Sequence, residues 1–163
     1  MNKMFLLFVL IITATGCGEK KEPDAVSQEP APEGSKLVLL AYEDTEFKDA
    51  LILKMKELLE KDEIVVRIGK HNSAGLAVSN PSVFDAIFIS NSGVNSQVRP
   101  WITAWIEDHK AYKDVILLHT SQNSAWSVNA LVDTVTSASD INSVEKLAAE
   151  YTDKLKAIYS KNP

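Results

Sequence analysis

Three short polar clusters stand directly behind apolar runs: Tyr42-Glu43-Asp44-Thr45, Ser90-Asn91-Ser92-Gly93, and Thr120-Ser121-Gln122-Asn123 with Trp126 just beyond. Hydroxyls, amides and a phenol in such places can hydrogen-bond a ligand. Gly93 can take a positive φ and let backbone approach closely, and Trp126 offers a face to a planar molecule. The candidate ligand-binding residues are therefore Tyr42, Thr45, Ser90, Asn91, Ser92, Gly93, Thr120, Ser121 and Trp126. Each also has an ordinary structural role open to it. Asp44 or Thr45 can cap a helix that Glu46 complements electrostatically; Asn95 or Ser96 can cap the next helix; Trp126 can cover a sheet edge. Catalytic signals are thinner. His71, His109 and His119 show no metal-ligand spacing and no H-E-x-x-H, and there is no G-x-S-x-G elbow. Gly69-Lys70 lacks the upstream glycine and following Ser/Thr of a phosphate-binding P-loop. No catalytic residue and no metal site are expected, and a hydrolase has the least support.

Cys17 is the only cysteine, and it follows a short greasy N-terminus. Lys3 supplies a positive start and Met4 through Ala14 is apolar and uncharged, too short for the ~20 residues of a spanning helix. The small residues Ala14, Thr15 and Gly16 then lead into the thiol, as in a secretory signal with a processing site. The run Ala14-Thr15-Gly16-Cys17 resembles the lipobox of bacterial lipoproteins, with Ala14 where Leu is commonest. That resemblance implies a signal peptide over residues 1–16, a diacylglyceryl thioether on Cys17, cleavage before it, and acylation of the new amine with a chain such as palmitate. Each buried methylene contributes ~0.8 kcal/mol, so several chains anchor permanently. The implied location is the bacterial cell envelope, outside the cytoplasm. Gly18 stands where an Asp would resemble an inner-membrane retention signal, which favours the outer membrane if the envelope is Gram-negative. With Cys17 acylated, no disulfide, thiolate nucleophile or cysteine metal site is left.

The 22 acidic and 17 basic residues give a net charge of −5, with the basic residues scattered singly. This argues against nucleic acid as a partner and against a second, electrostatic hold on anionic lipid. Residues 17–35 read as the acylated cysteine plus a disordered linker carrying Pro23, Pro30, Pro32 and many charges. Fully extended it would span up to ~60 Å.

The elements that position the polar clusters follow from Lys36 onward, in one domain over 36–163. Leu37–Ala41, Ile64–Ile68, Phe84–Ile89, Val115–Leu118 and Leu131–Val135 read as strands, the continuous apolar runs being those of strands covered on both faces. Between them lie amphipathic helices. One carries the stripe Phe47, Ala50, Leu51, Met55, Leu58 and Leu59 with Lys48, Lys56, Glu57 and Glu60 outside it. A second contains Trp101, Ile102, Trp105, Ile106 and His109, and a third Val144, Leu147, Ala148, Tyr151, Leu155 and Ile158 behind an Asn142/Glu145 capping box. Alternating β and α with crossover-length spacers means an α/β fold, a doubly wound parallel sheet of about five strands with helices on both faces.

Val38-Leu39-Leu40-Ala41-Tyr42, the run Asp85-Ala86-Ile87-Phe88-Ile89 with its Ser/Asn/Gly loop, and Lys113-Asp114-Val115-Ile116-Leu117-Leu118 resemble a flavodoxin-like domain. The resemblance implies strand order 2-1-3-4-5 and a ligand crevice beyond the strands' carboxyl ends, at the three polar clusters. It also raises FMN, whose phosphate flavodoxins cradle in a Ser/Thr- and Gly-rich first loop. Tyr42 and Thr45 align with a tyrosine-x-x-threonine of related domains, but Glu43, Asp44 and Glu46 stand where Ser, small residues or Gly are wanted. A carboxylate ~4 Å from a phosphate repels it by roughly 1 to 4 kcal/mol. Asp133-Thr134-Val135-Thr136-Ser137-Ala138-Ser139 is similar to the motif on which a flavin transferase esterifies FMN, with Ser139 as acceptor; Thr134 and Ser137 depart from it. The expectation is a membrane-anchored binding or interaction module without a resident cofactor, working on the bilayer through Cys17 and on another envelope protein through its domain. The alternative is an FMN-carrying electron-transfer lipoprotein, non-covalent or flavinylated at Ser139.

Overall fold

The computed structural model describes residues 24–161 except 77, 79, 95, 96 and 124. Cys17 and the signal-like run before it lie outside the described residues, as do Asn95 and Ser96. Three apolar runs become strands buried on both faces, the environment a parallel strand between helix layers demands: β1 (Leu37–Tyr42), β4 (Ala86–Ser92) and β5 (Ile116–Ser121). β2 (Val65–Asn72) and β6 (Asp133–Ser137) flank them. A two-residue strand, β3 (Gly75–Leu76), folds back antiparallel on His71 and Asn72. The sheet order is β3-β2-β1-β4-β5-β6. Without the β3 hairpin, the parallel strands stand in the 2-1-3-4-5 order of a flavodoxin-like sheet. Fold class and strand order are as expected; the sheet has six strands because a hairpin too short to read as apolar periodicity replaces the crossover helix after β2.

Side chains alternate along each strand, and the two faces feed two cores. Val38, Leu40, Tyr42, Phe88 and Leu117 pack under α1 (Glu46–Lys61) and α3 (Val144–Lys161). Leu37, Leu39, Ala41, Ile87, Ile89 and Leu118 pack under α2 (Pro100–Asp108). The largest departure within a helix is Lys48, which is fully buried rather than on the outer face of α1.

Several boundaries have local causes. Thr45 caps α1, its hydroxyl accepting from the Lys48 N–H at 3.3 Å. Asp85 sits outside β4, where its carboxylate accepts from the Leu37 N–H at 2.7 Å and from Lys36 Nζ at 3.0 Å, clasping the start of β1. The last strand is shifted two residues on from Leu131–Val135, leaving Leu131 exposed. Asp140, not Asn142, does the capping before α3: its carboxylate accepts from the Asn142 N–H at 3.0 Å and opens a 3₁₀ turn over Ile141–Ser143.

Residues 24–35 differ from the linker expectation. Val26 is buried in the α2-side core, and a Cβ at Gly69 would lie 2.5 Å from Val26 Cγ2, so only glycine on β2 leaves room for it. The Gln28 side-chain carbonyl accepts from the Asn80 N–H at 2.8 Å. The packed body thus starts ahead of Lys36.

Candidate functional site

The order of the parallel strands reverses at β1, which sends its chain to one side and receives β4 from the other. Register sets Tyr42 beside Ser90 and Ser90 beside His119, so the loops after β1, β4 and β5 meet at one end of the sheet. That end is the crevice an open α/β sheet offers to ligands.

Glu43 occupies its centre. Glu43 Oε2 accepts from Lys48 Nζ at 2.7 Å and from the Ser92 N–H at 2.6 Å, while Oε1 accepts from Arg99 Nε at 3.1 Å. Lys48 Nζ donates further to the Ser92 hydroxyl at 2.5 Å. Three elements are tied here by one carboxylate: α1 through Lys48, the end of β4 through Ser92, and the approach to α2 through Arg99. Burial alone would push the Glu43 carboxyl up; the bond and charge of Lys48, with Ser92, outweigh it and hold it at about 2. The same burial draws Lys48 below the ordinary lysine value, with Glu43 opposing. Distances under 3 Å are those of charge-assisted bonds. The Arg99 guanidinium also rests 5.4 Å from the Trp101 ring centre.

The structure brings most of the candidate binding residues to this end of the sheet but engages them with one another. Tyr42 is nearly buried and donates its hydroxyl to Asp49 Oδ1 at 2.7 Å; burial, then Asp49, pushes the phenol well above its ordinary value. Thr45 is spent on the helix cap. Ser90 and Asn91 are fully buried: the Asn91 carbonyl accepts from the Arg99 N–H at 3.0 Å, and its amide donates to the Thr120 hydroxyl at 3.4 Å. Thr120 and Ser121 are buried as well, the Ser121 carbonyl accepting from the Gly93 N–H at 3.3 Å. Gly93 does not use a positive φ; a Cβ there would push the Gln122 side-chain amide aside. Thr45 and Trp126 are the exposed members of the set, and Trp126, 38% exposed, stands apart, its backbone carbonyl accepting from the Thr136 hydroxyl. Asp44 is paired with Lys70 at 2.7 Å on the surface. Ser139 lies exposed between β6 and the 3₁₀ turn.

Two histidines complete the packing behind the loops. His71 Nε2 donates to the Ser90 carbonyl at 2.9 Å and Nδ1 accepts from Trp101 Nε1 at 3.3 Å, which makes it a neutral imidazole. His119 is fully buried, bonded through Nδ1 to the Ser90 hydroxyl at 2.8 Å and through Nε2 to the Ser137 hydroxyl at 2.9 Å, and stacked on Phe88. Burial pulls His71 down to about 4 and His119 down to about 3. A serine–histidine pair sealed under α1 and α3 has no access to substrate; its role is to join β4, β5 and β6.

The crevice does not fit the FMN phosphate that the fold raises. The two cations that would attract it, Lys48 and Arg99, are both already bonded to the Glu43 carboxylate. A groove of about 510 Å³ lies between α2 and the chain ahead of β6, with Val98, Ile106, Leu118 and Leu131 among its lining; none of the candidate binding residues lines it, and Glu107 is its one titratable side chain. Among the described residues there is no grouping of three metal-ligating side chains and no helix long and apolar enough to cross a membrane.

Lys48 and Arg99 are absent from the polar clusters of the sequence. Lys48 falls three residues before Leu51 and four before Ile52, on the buried stripe of α1, and that spacing was its one available signal.

No family model and no curated protein matches the chain. Solved structures do resemble it. A flavodoxin from the domain Archaea aligns at 10% identity over 74% of this chain and 99% of that one, TM-score 0.45. A flavodoxin, WrbA-like protein from Agrobacterium tumefaciens aligns at 8% identity over 79% and 100%, TM-score 0.48. The rubredoxin oxygen:oxidoreductase of Desulfovibrio gigas aligns at 12% identity over 80% of this chain and 38% of its own, TM-score 0.47.

Proposed function

We propose that this chain is a lipoprotein of the bacterial cell envelope, anchored outside the cytoplasm through acylated Cys17, whose flavodoxin-like domain binds another envelope protein instead of carrying FMN. The observation that supports the reading is Glu43: a carboxylate fixed by Lys48, Arg99 and the Ser92 N–H stands where the fold would receive an anionic ligand. A phosphate entering there has to displace Glu43 from Lys48, Arg99 and the Ser92 N–H, or bear its repulsion of about 1 to 4 kcal/mol per charge pair. The Ser90, Ser92 and Thr120 hydroxyls of the neighbouring loops are bonded internally, so they offer no substitute cradle.

Flavin is the discriminating measurement. The purified mature protein is expected to be colourless and to leave the fluorescence of added FMN unquenched. Flavin lost on acid precipitation would establish a non-covalent FMN carrier; flavin retained in the precipitate would establish an esterified one, with Ser139→Ala abolishing it. Anchoring is checked separately. Cys17→Ser is expected to move the protein from the membrane pellet to the soluble fraction, and its persistence in the pellet would remove the lipid tether from the proposal.

A further inference from the structure

We infer that Glu43 is an internal ligand: its carboxylate fills an anion site built from Lys48, Arg99 and the Ser92 N–H, and without that side chain the site takes a small oxyanion such as inorganic phosphate. Lys48 has 1% side-chain exposure. A cation buried that far must have a partner, because an unpaired buried charge is among the costliest arrangements a fold can hold. The partner present is chemically an anion-for-anion exchange for a ligand. Its two oxygens collect three donors from three separate elements, and such donors suit a phosphate as well as a carboxylate. Arg99 is held in place from behind by Trp101. Asp44 does not compete for these cations, since it is turned to Lys70 on the surface.

Tethering explains why the site stays closed in the native chain. A group attached through its own short backbone acts at an effective concentration of the order of mM or above, so dissolved phosphate well below that level does not displace it. Deleting the carboxylate leaves two positive charges facing each other across the crevice, with one N–H aimed at the gap. An oxyanion then stabilises the fold by mass action.

The inference shares Glu43 with the proposed function but is decided by different molecules. FMN binding by the native chain bears on that reading; phosphate binding by variants bears on this one. Thermal unfolding is followed for the native chain, Glu43→Ala, and Glu43→Ala/Arg99→Gln, in sodium phosphate and in sodium chloride at matched ionic strength and pH. Phosphate at about ten times its dissociation constant raises the midpoint of a domain of this size by about 4 °C. Glu43→Ala is expected to show that rise, and the native chain and the double variant are not. Equal midpoints for Glu43→Ala in the two salts, or an equal rise in the native chain, overturn the inference, as does an undiminished rise in the double variant. If Glu43→Ala is unfolded in chloride, recovery of its circular dichroism in phosphate supports it. Failure of both Glu43→Ala and Glu43→Ser to fold in either salt overturns it, because an opened site would be rescued by its ligand.

Discussion

Lys48→Met is expected to lower the unfolding free energy by about 3–5 kcal/mol, the cost of removing one partner from a buried ion pair. Methionine fills nearly the same volume, so the loss is electrostatic and not a cavity. It strands the Glu43 carboxylate with Arg99 as its only cation and leaves the Ser92 hydroxyl without its donor. The measurement is a urea midpoint at constant slope, or a fall in thermal midpoint of about 10 °C or more. A double-mutant cycle sharpens it. Glu43→Leu added to Lys48→Met removes both charges and should recover part of the loss, though not all, since the Ser92 N–H then lacks an acceptor. Additive penalties from the two substitutions would show that the pair is not coupled.

The second large effect is acid instability starting just below neutrality. His71 and His119 are buried neutral, with folded values of about 4 and about 3. In the unfolded chain each takes up its proton near pH 6.5. Between that value and pH 4 the unfolded state therefore binds about two more protons than the folded one, and stability falls as pH falls. At 1.36 kcal/mol per unit, each histidine removes about 3 kcal/mol by pH 4, a large share of the ~5–15 kcal/mol typical of a domain. The stabilising effect of Glu43 is fully present above its unfolded value and fades only below pH 4.5, towards its folded value of about 2, so the two windows are distinct. Urea unfolding at several pH values between 4.5 and 7 reads the slope. His119→Phe is expected to halve it, from about two protons to about one, whatever the substitution does to absolute stability. An unchanged slope would mean that His119 titrates normally in the fold.

The alternation of strands and helices was legible because strands covered on both faces leave uninterrupted apolar runs, as in Leu37–Ala41 and Val115–Leu118. The β3 hairpin was not, because two paired residues carry no period. The final strand was read two residues early for a similar reason. Leu131 looks like a strand residue but is exposed, while Ser137 at the far end looks like loop and is buried because His119 takes its hydroxyl. The convergence of the polar clusters follows from topology, since they stand at the carboxyl ends of β1, β4 and β5. What they do there depended on residues outside the clusters. A lysine within an amphipathic pattern reads as solvated, and nothing local says that Glu43 and Ser92 come together from 49 positions apart to receive Lys48. Arg99 likewise stands alone in the sequence and gains meaning only when α2 docks.

The path of residues 24–35 fixes the pole of the domain at which the described chain begins. Val26 lies against Gly69, level with Ala41 near the exit of β1, and the chain then travels the length of the sheet to enter β1 at Leu37. Asp24 therefore sits at the pole that holds Glu43. Cys17 precedes it by seven residues (24 − 17), at most about 23 Å of extended polypeptide. Under the proposed acylation of Cys17, the tether would join the domain at the pole that carries the loops after β1, β4 and β5.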